Sequence, residues 1–248
     1  MWDAQTLAVV GGTFLLAGMV KGVVGFGMPT VAVGLLAASI GLTPALALMV
    51  LPTVVTNLWQ GLAGGAILVI LRRFWTLLAA ACLGIWGGVA VLARSDPAVL
   101  SALLGVMLCI YGGLGLRNIS LPPPGRRERW LSPALGAVNG LLTGLTGTFV
   151  VPSMPYFQAL ALPRDLLVQT MGVLFTVSTV AIAAALADQQ LISGEVGLMS
   201  AAAVIPALAG MMLGRQVRQH LSERVFRRVL YVALLLLGLY LVAKPILG

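Results

Sequence analysis

The chain has 248 residues, 60% hydrophobic and only 9% charged, with a mean hydropathy of +1.05 and a formal net charge of +8. A soluble domain carries about 25% charged residues, so a water-soluble globule is excluded. The arginines flank apolar runs and do not gather on one basic face, which favours orientation by positive loops over nucleic-acid binding.

Apolar runs of about 20 residues recur along the whole length and are continuous, so a polytopic helical protein is expected and a β-barrel is not. Cys82 and Cys109 fall inside such runs and read as packing residues, with neither metal-ligand spacing nor a disulfide framework. Met1-Trp2-Asp3 carries no basic residue, so a cleaved signal peptide is not expected.

Residues 5 to 40 are apolar but interrupted at Lys21-Gly22-Val23-Val24-Gly25-Phe26-Gly27-Met28-Pro29. The piece after the break, roughly Pro29 to Ile40, is too short to cross a bilayer, which takes about 20 residues. Pro29 suits its first turn, where a missing N–H costs nothing. Gly41-Leu42-Thr43-Pro44 reads as a turn, and the next helix is expected from Pro44 to about Ile70, ending at Arg72-Arg73. Two more are expected over about Phe74 to Ala93 and about Ala98 to Leu116. A hydrophilic linker follows at residues 117–131, with Pro122-Pro123-Pro124-Gly125 and Arg126-Arg127-Glu128-Arg129; triple proline cannot continue a helix. It divides residues 1–116 from residues 132–248 as two membrane repeats.

The second half repeats the plan. Pro133 to Leu162 is apolar but broken at Gly144-Leu145-Thr146-Gly147-Thr148-Phe149-Val150-Val151-Pro152, and the glycines recur at one constant shift: Gly18 to Gly140, Gly22 to Gly144, Gly25 to Gly147. Asp165 suits an N-cap or first-turn role. Helices are expected over about Leu166 to Ala187, about Val196 to Leu213, and from near Val225 to Lys244-Pro245.

If each broken segment enters and returns to its own side, the linker faces the cytoplasm. So do all of the 15 basic residues except Arg94, Lys244 and the interior Lys21. A single crossing at each break would put the cluster from Arg215 to Arg228 outside, against the positive-inside rule. Hairpin parity is therefore expected, as re-entrant hairpins or as pairs of crossings, with both termini periplasmic. Each half then holds a Gly-broken hairpin plus three transmembrane helices. An odd number of crossings makes the halves inverted-topology repeats of an all-α polytopic membrane protein, the layout of many secondary transporters.

All seven acids, Asp3, Asp96, Glu128, Asp165, Asp188, Glu195 and Glu223, fall in expected loops, ends or caps. An interior without carboxylates disfavours a sodium or metal-cation carrier and a proton relay built from acids. The single His220 lies in the basic loop, so a Ser/His or zinc protease lacks its residues, and no metal or cofactor site is expected. Lys21 is the one interior cation. A charge at the bilayer centre costs about 2.5 to 3.5 kcal/mol, so Lys21 either snorkels outward or is the counter-charge of an anion.

The breaks supply the remaining groups. Half-helices beginning at Pro29 and Pro152 would aim positive dipole ends at the midplane. Candidate substrate contacts in the first half are Lys21, Gly22, Gly25, Phe26, Gly27, Pro29, Thr30 and Asn57. In the second they are Asn139, Thr143, Gly144, Thr146, Gly147, Thr148, Pro152, Ser153, Gln169 and Thr170. Close helix packing competes as an explanation of the glycines, and local bonding to carbonyls competes for the hydroxyls. Two matching clusters favour a site between the halves.

The stretch from Lys21 to Pro29, its echo from Asn139-Gly140-Leu141-Leu142-Thr143 to Pro152, and the basic linker resemble the TauE/SafE family, the sulfite exporter family, over essentially the whole chain. The resemblance implies a bacterial inner-membrane carrier of sulfur-containing anions such as sulfite, sulfoacetate or related organosulfonates. It carries the glycine-rich motif onto Gly22, Gly25, Gly27 and Pro29, and onto Gly144, Gly147 and Pro152. Where the commoner pattern has consecutive glycines, this chain has Phe26, Met28, Thr148 and Phe149, which bears on the identity of the anion. The expected function is a secondary transporter, not an enzyme, exporting such anions by alternating access. Its partners are a small anion and the lipid bilayer. Uptake of another small organic anion or of a neutral solute is the alternative, and uniport fits the residues as well as proton coupling.

Overall fold

The computed structural model describes residues 3–117, 122–220 and 222–247, and among them every regular element is helical. Asp3 caps α1 (Ala4–Val24), its carboxylate accepting the Thr6 N–H at 2.8 Å. α1 stops at Gly25, where φ is 95° and the N–H turns back to the Lys21 carbonyl, a left-handed cap that favours glycine. Gly27, with φ 94°, opens α2 (Met28–Ile40), which carries Pro29 in its first turn.

α3 (Leu42–Leu48) and α4 (Val50–Leu62) meet at a 44° bend. Pro52 has no N–H for the Leu48 carbonyl, and the freed group is taken up from outside the helix. The Ser200 hydroxyl donates to Leu48 O at 2.8 Å and accepts from Leu51 N at 3.1 Å. The chain continues through α5 (Ile67–Leu92), α6 (Pro97–Arg117), a 3₁₀ turn (Gly125–Arg127), α7 (Glu128–Thr146), α8 (Ser153–Ala159), α9 (Arg164–Asp188), α10 (Gly194–His220) and α11 (Glu223–Leu247). Six of the described helices, α1, α5, α6, α9, α10 and α11, are long and apolar enough to cross a membrane, and the bent pair α3–α4 makes a seventh.

Several expected boundaries move. The helix placed from Pro44 to Ile70 ends at Leu62, because Gly64 and Gly65 (φ 73°) make a turn there. Arg72 and Arg73 consequently lie inside the second turn of α5, where their long stems carry the charge outward and do not end a helix. The linker also ends earlier than residue 131. Helix α7 begins at Glu128 and absorbs Pro133 about one turn in. Of the linker, residues 118–121 lie outside the described residues. His220, expected in a loop, closes α10.

The helices pair by close backbone approach at glycine. α1 runs alongside α10, and a Cβ at Gly18 would sit 2.2 Å from the Ala207 carbonyl oxygen; Gly22 meets Met211 and Gly214 in the same way. α7 runs alongside α5, with Gly140 on Ala81 (2.1 Å) and Gly144 on Ile85 and Gly88. α4 crosses α9 at Gly61 against Gly172, and α6 packs on α11 at Gly105 and Gly238. Gly18 and Gly140 are thus packing residues of the small-xxx-small kind. The outer faces are apolar: Leu83, Leu198 and Ile205 are 75%, 75% and 74% exposed, a surface that suits lipid and not water.

Candidate functional site

Lys21 lies one turn before Gly25 ends α1 and is only 3% exposed. Its ammonium does not snorkel outward. Nζ donates to Thr56 Oγ1 at 3.2 Å and to Asn57 Oδ1, both on α4. The Thr56 hydroxyl spends its own proton on the Pro52 carbonyl at 2.8 Å, which leaves its lone pairs for the lysine. Both partners are neutral, and among the described residues no carboxylate bonds Lys21. Two of its three N–H groups are bonded while its charge is unbalanced, an arrangement that asks for an anion.

A cavity of about 490 Å³ adjoins it. Its buried lining includes Lys21, Gly22, Thr56 and Gln169; its exposed lining includes Trp59, Asp165, Arg215 and Arg218. Asp165, expected only as a cap, therefore has a second place at the exposed wall, where two arginines outnumber it. Gln169 is committed to structure as well. Its amide donates to Gly61 O at 2.9 Å and accepts from Ala66 N at 3.1 Å, while Gln60 donates to Val168 O at 2.7 Å. These bonds fasten the α4–α5 turn to the start of α9, giving the cavity a fixed wall.

The candidate residues fall into two groups. Lys21, Gly22, Gly25 and Gln169 line the cavity, and Asn57 stands behind Lys21. Phe26 is buried beneath the Arg227 guanidinium at 5.8 Å, and Gly27 and Pro29 shape the start of α2. Thr30 is buried with its hydroxyl unbonded, and Thr170 bonds the Leu166 carbonyl. The second-half residues from Asn139 to Ser153 gather around their own break and do not line this cavity. Thr143 donates to the Thr148 carbonyl at 2.9 Å, Thr146 and Thr148 share a 2.6 Å hydroxyl bond, and Ser153 donates its hydroxyl to Phe149 O. The Ser153 N–H goes to Asn139 Oδ1 at 3.3 Å. Gly144 packs on α5, Gly147 (φ 70°) ends α7, and Pro152 precedes α8, a half-helix of just 7 residues.

Sequence reading missed Thr56, Trp59, Gln60, Arg215 and Arg218. One signal was available: Thr53, Thr56, Asn57 and Gln60 fall at i, i+3, i+4 and i+7, a polar stripe on an otherwise apolar helix. The two arginines had no such signal, since their place depends on α10 lying along α1.

Apolar flanks and six or seven described helices long and apolar enough to cross a membrane make this a multi-pass membrane protein. The chain belongs to the TauE/SafE family: the family model described as Sulfite exporter TauE/SafE matches residues 10–241. That family is one of membrane transporters of sulfite-type anions. Neither a curated protein nor a solved structure matches the chain.

Proposed function

We propose that this protein exports small sulfur-containing anions, sulfite or an organosulfonate, across the bacterial inner membrane by alternating access. One observation carries the reading: a buried ammonium, Lys21, held by neutral partners beside a cavity whose charged wall is mainly arginine. An anion entering past Arg215 and Arg218 gains attraction before it is desolvated, and Lys21 offsets its charge inside. The cavity would open to the cytoplasm, the side to which the positive-inside rule assigns those arginines. Export of an anion then needs no coupling ion, because an inside-negative potential of 100 mV drives each charge outward by about 2.3 kcal/mol.

The halves would act as inverted repeats. In support, α1 packs on α10 as α7 packs on α5, with matched glycines at each seam. Rocking of one repeat against the other, hinged at the two breaks, would close the Lys21 side and open the other. The wild-type protein in liposomes should exchange labelled sulfite or sulfoacetate, and not a carboxylate such as acetate. Lys21→Met should abolish that exchange. Exchange at the wild-type rate by Lys21→Met would refute the reading.

A further inference from the structure

The polar stripe of α4 extends beyond the lysine. Gln60 and Thr56 line the cavity, and Thr53 lies seven residues from Gln60, about 10 Å along the helix, away from the cavity. Asn57 turns its amide oxygen to Lys21, so its Nδ2 points elsewhere and has no partner. Thr53 Oγ1, four residues earlier on the same stripe and so on the same helix face, has none either. Both residues are 1% exposed or less. A buried N–H or O–H left without a partner costs stability, and two on one helix face are not explained by packing.

We infer that Thr53 and the Asn57 amide form a second station for the transported oxyanion, beyond Lys21. The inference rests on the anion-transport reading above. Asn57 Nδ2 is a donor with no lone pair to offer a cation, and the Thr53 hydroxyl has a proton free to give. An oxyanion has several lone pairs on adjacent oxygens and satisfies both donors at once. The two stations differ in kind. Lys21 supplies full charge; the second supplies neutral dipoles, which hold an anion firmly enough to draw it inward and weakly enough to release it. Passage then proceeds from the arginine wall, to the ammonium, to the Thr53 hydroxyl and the Asn57 amide.

The test uses the full-length protein with sulfite and sulfoacetate as probes. Thr53→Val preserves shape and removes an unbonded hydroxyl, so the melting temperature should stay the same or rise, and equilibrium affinity should stay within about two-fold. Exchange in liposomes should slow at least about ten-fold, since bonds to a charged group are among the strong ones. Thr53→Ser should restore the rate, and Thr176→Val, which removes a hydroxyl bonded within α9, should not change it. A lower melting temperature with an unchanged rate would mark the hydroxyl as structural and overturn the second station while leaving Lys21 in place. Failure of the wild type to exchange either anion would overturn both readings.

Discussion

The two breaks begin alike and end differently. Gly25 N–H returns to Lys21 O at 2.8 Å, and Gly147 N–H returns to Thr143 O at 2.7 Å, so one cap closes both α1 and α7. The residue whose carbonyl is capped is a lysine in the first and a threonine in the second. Around Thr143 the polar groups satisfy one another: Thr143 with Thr148, Thr146 with Thr148, Ser153 with Asn139. Around Lys21 they do not, for a charge stays unbalanced and the Asn57 amide keeps an unbonded donor. The same kind of left-handed glycine cap therefore stands beside a self-bonded knot in one half and beside a cavity wall with unmet donors in the other. What decides between them is whether the side chains can complete their hydrogen bonds locally.

That contrast can be broken or sharpened by substitution. The largest effect belongs to what the halves share. Gly18→Ala and Gly140→Ala each push a methyl into a backbone carbonyl, at 2.2 and 2.1 Å, and each should cost about 1 to 3 kcal/mol of stability. Thermal unfolding in detergent should show similar losses for the two, and almost none for Gly11→Ala, which has open space.

Next come the caps. Gly147→Ala combines a φ of 70° with Leu46 at 2.4 Å, whereas Gly25→Ala has the positive φ of 95° but meets Val168 only at 4.0 Å. Left-handed strain alone is about 1 to 2 kcal/mol, so Gly147→Ala should lower the melting temperature more. Thr143→Val should then cost about 1 kcal/mol by freeing the Thr148 carbonyl, with anion affinity unchanged. The smallest effect is expected at Arg73→Gln. It removes the paired bonds to Glu128, at 2.7 and 2.9 Å on an exposed surface, and should cost about 1 kcal/mol or less.

The sequence exposed the fold more fully than the site. Charges in a membrane protein gather where helices end, and all seven acids stand at helix caps or in first or last turns, Asp3 and Asp96 as side-chain caps. The same logic misled at Arg72-Arg73, because arginine stems let a helix continue past the membrane edge, and the real stop was Gly64-Gly65. Lys21 was legible as a lone interior cation, and Asn57 as an amide in an apolar helix. The glycine and hydroxyl echo between the halves was legible too, but not that one copy bonds to itself. That outcome depends on distances of a few ångströms between residues up to 14 positions apart, such as Asn139 and Ser153, which spacing does not encode.

The central claim is that the Lys21 side of the molecule holds the anion and the Thr143 side does not. It is tested most directly by calorimetric titration of sulfite and sulfoacetate into purified wild type, Lys21→Met and Thr143→Val. The account predicts affinity lost by at least about ten-fold in Lys21→Met, from the charge-assisted bond removed, and kept in Thr143→Val. Equal affinity in Lys21→Met and wild type, or a loss confined to Thr143→Val, would contradict it.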